Sequence, residues 1–274
     1  MGIALTANLH GVLRDPRAMP VAGAAMRLIG AGRDEARSDG QGRFEIAWDR
    51  RCQLHNTPAF CLMAREERSN LATVVEVTGE TSVLDVKLTP GTSLTGRIVD
   101  PNGRALTNAW VYVMLHVPYW GQTPLRDEQV RVDGDGRFEI PAVPLGRWYT
   151  LYMYADGYGS RDMSIDVQTA PDRGVDIGSV VLPPARLAVT GRVTDPRGYP
   201  LASAQVYGWG RGQPVKLSTQ TDTEGRFRLA GVCEGRLDLR VEADLGGGNQ
   251  LRAHVLAAAG DADLQITPLH LLRR

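Results

Sequence analysis

Three stretches of this chain carry the same words in the same order. Gly11-Val12-Leu13-Arg14-Asp15-Pro16 is matched by Gly96-Arg97-Ile98-Val99-Asp100-Pro101 and by Gly191-Arg192-Val193-Thr194-Asp195-Pro196. Pro20-Val21-Ala22-Gly23-Ala24 is matched by Ala105-Leu106-Thr107-Asn108-Ala109 and Pro200-Leu201-Ala202-Ser203-Ala204. Further on, Ser38-Asp39-Gly40-Gln41-Gly42-Arg43-Phe44 is matched by Val132-Asp133-Gly134-Asp135-Gly136-Arg137-Phe138 and Thr221-Asp222-Thr223-Glu224-Gly225-Arg226-Phe227. The leading glycines stand 85 and 95 positions apart. A period that long is a whole small domain rather than one turn of a solenoid. The 274 residues therefore divide into three units, 1–90, 91–185 and 186–274, each large enough for one modest core.

Inside each unit the apolar residues alternate. Leu187, Val189, Gly191 and Val193 share one face of a strand. Asp195-Pro196-Arg197-Gly198 is turn chemistry, since Asp can bond its own backbone, Pro fixes φ and Gly accepts a positive φ. Short strands punctuated this way predict an all-β fold of three tandem antiparallel β-sandwiches with Greek-key links. The one local invitation to a helical turn is Ala64-Arg65-Glu66-Glu67-Arg68. The junctions Leu88-Thr89-Pro90-Gly91 and Leu182-Pro183-Pro184-Ala185 are short and stiffened by Pro, which predicts an elongated and rigid arrangement.

Lys plus Arg and Asp plus Glu balance at 31 each, so no long-range field points to nucleic acid or an anionic membrane. No apolar run reaches the length of a membrane-spanning helix. Met1-Gly2-Ile3-Ala4-Leu5 has neither the basic start nor the apolar core of a signal peptide. Either the native protein is cytoplasmic or the chain is a mature or excised piece of a longer, exported protein, and the second is the expectation.

Local chemistry is sparse. Asp133-Gly134-Asp135-Gly136 suggests a calcium loop, but an EF-hand starting there would need an oxygen ligand at 137, Gly at 138 and Glu at 144. The chain has Arg137, Phe138 and Pro144, and the matching Asp39 and Asp222 favour a structural turn. His10, His55, His116, His254 and His270 are scattered, without metal-ligand spacing. No nucleophile elbow, H-E-x-x-H or phosphate loop occurs. The expectation is no enzyme, no metal and no cofactor.

The repeated words resemble the carboxypeptidase regulatory-like domain, a transthyretin-like sandwich. The residues that carry the resemblance are the Gly-x-Val/Ile-x-Asp-Pro opening and the Asp-x-x-Gly-x-Phe turn. Val143-Pro144-Leu145-Gly146-Arg147 and Ala155-Asp156-Gly157-Tyr158 add to it. Units two and three match well. Unit one departs, with Met19 before Pro20 and a cysteine-bearing insertion at 49–61. The resemblance implies Ig-like or transthyretin-like sandwiches acting as a non-catalytic accessory or interaction module, extracellular or periplasmic, whose partners are other proteins or domains of the parent protein. Fold alone does not give function.

Two features stand out from that background. Cys52 and Cys61 flank Asn56-Thr57-Pro58. A hairpin there would bring them together, and a disulfide would suit an exported protein, with two reduced thiols as the alternative. Cys233 is expected to be a buried free thiol. The second feature is the aromatics. Ten of the seventeen lie between positions 91 and 185. In Trp110-Val111-Tyr112-Val113-Met114-Leu115-His116-Val117 the Val and Leu side chains make the core face, so Trp110, Tyr112 and His116 point outward. Together with Tyr119 and Trp120 they form a candidate surface for a protein or, alternatively, for carbohydrate or another ligand. The competing reading is that the loop around Trp120, or a neighbouring unit, covers this face.

Overall fold

The structure is a computed structural model that describes residues 6–31, 35–49, 52, 60–169, 174–244 and 250–270. Period-2 alternation becomes strand throughout, and no α-helix occurs among the described residues. The first unit contains β1 (Thr6–Arg14), β2 (Ala25–Ile29), β3 (Glu35–Arg37), β4 (Arg43–Asp49), β5 (Phe60–Glu66), β6 (Leu71–Val77), β7 (Val86–Lys87) and β8 (Thr89–Pro90). They form two sheets, β4-β1-β7 and β3-β2-β5-β6-β8. The middle unit contains β9 (Thr92–Val99), β10 (Ala109–Val117), β11 (Gly121–Pro124), β12 (Val130–Arg131), β13 (Arg137–Val143), β14 (Arg147–Ala155), β15 (Ser160–Val167) and β16 (Val175–Val181). Its sheets are β13-β9-β16 and β11-β10-β14-β15, with β12 also beside β10. The third contains β17 (Leu187–Val193), β18 (Gln205–Trp209), β19 (Leu217–Gln220), β20 (Arg226–Val232), β21 (Arg236–Asp244), β22 (Gln250–Ala258), β23 (Leu264–Ile266) and β24 (Leu269–His270). Its sheets are β20-β17-β23 and β19-β18-β21-β22-β24. The chain is thus a tandem of β-sandwiches.

The sheets are not wholly antiparallel. Each opening strand sits centrally in its small sheet and pairs in parallel with a late strand: β1 with β7, β9 with β16, β17 with β23. A parallel neighbour needs a long crossover, and the strands of the large sheet supply it. Between the two sheets lies the core. In the third unit Val189, Val193, Phe227 and Leu229 from the small sheet meet Val206, Leu239, Val241 and Leu251 from the large one. On β10, Val111, Val113, Leu115 and Val117 are all buried while the residues between them are half-exposed, as the alternation requires.

The repeated words acquire physical reasons. A Cβ on Gly11, Gly96 or Gly191 would fall 1.8 Å from Leu84 O, 2.7 Å from the Ile177 side chain or 2.5 Å from Leu264 O. The late strand or its neighbour crosses that close, so only glycine fits. The Asp side chains are turn staples. Asp39, Asp133 and Asp222 each accept from backbone N–H groups two and four residues on, at 2.8–3.0 Å. Asp15, Asp100 and Asp195 do the same after the opening strand. These carboxylates are occupied by backbone amides.

The local helix preference at 64–68 is overridden. Residues 60–66 are strand β5, and β5 pairs in a hairpin with β6. Propensity is a weak prior against burial, and here both faces of β5 are claimed. Phe60, Leu62 and Ala64 enter the first core. Cys61 and Met63, with Ile29 of β2, join the core of the middle sandwich instead.

That shared cluster seals the first junction, and Arg65 completes it. Its side chain is 5% exposed. Nε donates to Ala142 O (2.8 Å), Nη1 to Leu125 O (3.1 Å) and Nη2 to Pro141 O (2.7 Å). Burial pulls its pKa down to about 10, with Glu67 pulling it back up, so it stays charged at neutral pH. Arg27 reaches Pro124 O (3.0 Å) and Asp127. Asn70 Oδ1 accepts from Ala142 N at 2.7 Å. Ala142 itself is held at φ +54, where the third sandwich has Gly231 at φ +76. Residues of the first sandwich therefore hold a left-handed alanine in the second.

The second junction is smaller. Within the third unit Gln213 pairs with the Cys233 backbone in both directions, Nε2 to Cys233 O (3.0 Å) and Cys233 N to Oε1 (2.9 Å), which sets the loop that meets the second unit. Ser160 N and Oγ donate to Gln213 O. Cys233 Sγ lies 3.5 Å from Pro183 O.

Candidate functional site

The outer face of the large sheet in the middle sandwich is aromatic because two adjacent strands alternate in phase. The register sets Trp110 opposite Tyr154, and Tyr112 opposite Tyr152. The Trp110 and Tyr154 rings stack, with centroids 5.6 Å apart and planes 23° from parallel. Tyr149, two residues before Leu151, points the other way, fully buried with its hydroxyl donating to Pro144 O at 2.6 Å. Leu151 and Met153 fill the core from the same strand, so Tyr152 and Tyr154 are not needed there.

This aromatic face is one wall of a cleft of about 700 Å³. Tyr158, in the turn after β14, closes one end, and Pro214, Val215 and Lys216 of the third unit form the opposite wall. Asp156 and Lys216 are the charged side chains of the lining. The Tyr154 hydroxyl donates to Gln129 Oε1. Burial raises the Tyr154 pKa and Asp156 adds to it, while the Gln129 bond opposes. A depression of similar size on the small sheet is lined by Arg97, Arg131, Asp133, Arg137, Glu139 and Asp176. Charges of both signs face it from strands β9, β12, β13 and β16, with Asp133 in the turn before β13.

The five residues expected to form one surface go three ways. Trp110 and Tyr112 line the cleft. His116 sits further along β10, its Nε2 2.7 Å from Thr150 Oγ1 and 3.2 Å from Gln122 Nε2. Tyr119 is 65% exposed on the turn before β11, at φ +65. Trp120 turns away from that face and is partly buried. Its ring stacks on Phe60 of the first unit, 5.9 Å between centroids and 13° from parallel. It packs against both cores. A Cβ on Gly30 would lie 2.4 Å from this indole, so a glycine makes room for it. The first unit packs against Trp120 and not against the face of Trp110 and Tyr112, so the five residues do not share one surface. The alternation of Tyr152 and Tyr154 was readable in the chain; the wall from residues 214–216 carried no local signal.

Cys52, Cys61 and Cys233 are free thiols. Cys61 is built into the cluster shared with the middle sandwich, and the Asn56-Thr57-Pro58 loop lies outside the described residues. Cys233 is buried, as expected, and burial raises its pKa to about 11.

With this geometry in view, comparison with known families is informative for one part of the chain. Residues 188–268 match the carboxypeptidase regulatory-like domain. The matched stretch runs from β17 through β23, nearly all of the third sandwich. No curated protein matches the chain. Among solved structures it is similar to a Streptococcal ancillary pilin, at 13% identity and a TM-score of 0.37, over 97% of this chain and 100% of that one. The Bacillus anthracis TIE protein aligns at 14% identity and a TM-score of 0.28, over 97% of this chain and 51% of that one, so this chain spans about half its length. The shaft pilin SpaA from Lactobacillus rhamnosus GG aligns at 11% identity and a TM-score of 0.30, over 65% of this chain and 98% of that one. At these identities the likeness concerns the fold alone. No helix among the described residues is long and apolar enough to cross a membrane.

Proposed function

We propose that the chain is a non-catalytic, rigid spacer built from three copies of one domain, with boundaries at 1–90, 91–185 and 186–274, within a longer exported protein. The observation that carries this reading is the Arg65 latch. A buried guanidinium binding three carbonyls of the next sandwich fixes an angle rather than merely joining two beads. Its planar fork suits that task, since few of its torsions remain free once bound. The shared cluster around Ile29, Cys61 and Met63 adds apolar burial, and Ser160, whose N–H and hydroxyl donate to Gln213 O, supports the same role at the second junction. The three recurrences of the Asp and Gly geometry support copies of one domain. The domain match at 188–268 supports an accessory role beside other domains of the parent protein.

Small-angle scattering tests the reading. A ~90-residue domain has a gyration radius near 12 Å, so three in line should give a maximum dimension approaching ~100 Å with a rigid-body profile. A compact particle, or a profile that requires freely jointed domains, defeats the proposal.

A further inference from the structure

We propose that the cleft between the middle and third sandwiches binds a neutral oligosaccharide. The inference does not rest on the spacer reading; either can fail alone.

The first argument is that the rings are superfluous to folding. Val111, Val113, Leu151 and Met153 already fill the core from the same two strands. An outward strand face is ordinarily polar, yet this one presents Trp110, Tyr112, Tyr152 and Tyr154. Such side chains give large, rigid, amphipathic contact area at low entropic cost. The second argument is shape. The aromatic face is not a flat patch but one side of a cleft of about 700 Å³, within the range of small-ligand sites. Val215 on the far wall is 63% exposed, an apolar side chain left without cover. The two walls belong to different sandwiches, and the bonds from Ser160 N and Oγ to Gln213 O, with Cys233 Sγ against Pro183 O, tie them together. Preorganisation of that kind lowers the cost of binding.

The third argument is charge and polarity. Asp156 and Lys216 offset one another, so the lining offers no field for a phosphate, a polyanion or a cation. What remains is aromatic faces beside Tyr hydroxyls, the Gln129 amide, one carboxylate and one ammonium. A saccharide presents the complement: C–H faces to lie on rings, and hydroxyls that both donate and accept. A proline-rich peptide would also suit aromatic rings, but it has few donors and would leave the Asp156 carboxylate unmatched. Unmatched polar groups in a desolvated site are costly.

The test titrates the full chain with cellohexaose, maltohexaose, mannohexaose and chitohexaose, read by tryptophan fluorescence and calorimetry. At least one hexaose should saturate a single site. Trp110→Ala should weaken it by about tenfold or more, as for a central aromatic anchor. Trp209→Ala, outside the cleft, should leave it unchanged. Because Trp110 packs on Tyr154, Val215→Arg is the second variant: it fills the cleft from an exposed position and should abolish binding with the thermal transition intact. The proposal is overturned if none of the four sugars binds at millimolar concentration. Binding that survives Val215→Arg overturns it equally, as does a proline-rich decapeptide occupying the cleft where the sugars do not.

Discussion

Removing the Arg65 guanidinium should uncouple the first two sandwiches. Hydrogen bonds from a charged donor contribute about 1.5–3 kcal/mol each, and Arg65 makes three to main-chain carbonyls across the junction. At the lower end that is about 4.5 kcal/mol, already net of dehydration. One effect reduces it: water can reach some of the freed carbonyls after truncation. A net loss of about 3 kcal/mol is therefore expected for Arg65→Ala. For a cooperative unit of two sandwiches, 1 kcal/mol lowers Tm by about 2–4 °C, giving about 6–12 °C. Arg65→Lys keeps the charge, but a compact ammonium cannot span three carbonyls as a planar fork does. It should recover roughly half of the loss. Differential scanning calorimetry is the assay, and the shift should appear in the transition of the first two sandwiches while that of the third stays put. An Arg65→Ala chain melting within about 1 °C of the parent would refute the reasoning. So would a shift confined to the third sandwich.

Gly191→Ala forces a Cβ to within 2.5 Å of Leu264 O and should cost about 3 kcal/mol or more by denaturant titration. Gly134→Ala, with nothing within 4 Å of its added Cβ, should stay within about 0.5 kcal/mol. Equal effects would show that the close approach is not what selects glycine. The Asp100 and Asp222 carboxyls are held below the ordinary value, first of all by the backbone N–H groups of Arg104 and Arg226. Their stabilisation is full above about pH 4 and is lost as pH falls through the depressed pKa. Tm should therefore decline on the acid side, and Asp222→Asn should flatten that decline. With Cys61 and Cys233 buried and their pKa values raised by burial, an aromatic disulfide reagent should titrate Cys52 alone in the native protein and all three thiols in denaturant. A single thiol in denaturant without reductant would instead mean that Cys52 and Cys61 are bridged.

Local physics made the sandwiches legible. Asp-x-x-Gly-x-Phe specifies its turn through one carboxylate and two amides, and alternation such as Val111, Val113 and Leu115 decides which face is core. The helical reading of 64–68 failed because propensity says nothing about a neighbour, and it was the neighbour that claimed Arg65 and Cys61. The place of Trp120 was open for the same reason. A loop position allows exposure or cover, while Gly30 and Phe60, some 60–90 positions earlier, had prepared a place for it. The cleft was half readable: one wall is an alternating strand pair, and the other comes from a loop whose approach depends on how two sandwiches dock.

The two junctions are fitted with different parts, and this makes the units impossible to shuffle. Trp120 needs the bare Gly30 opposite it, and Arg65 needs the carbonyls of Leu125, Pro141 and Ala142. Ser160 needs the main-chain carbonyl of Gln213, and Cys233 Sγ that of Pro183. A chain of interchangeable beads would repeat one contact at every boundary and tolerate permutation. Here each unit carries a socket for one particular successor. Exchanging the second and third would take Trp120 away from Gly30 and leave Arg65 without the three carbonyls it binds. The sequence therefore encodes an order as well as a fold, and the assembly has a direction from its first unit to its last.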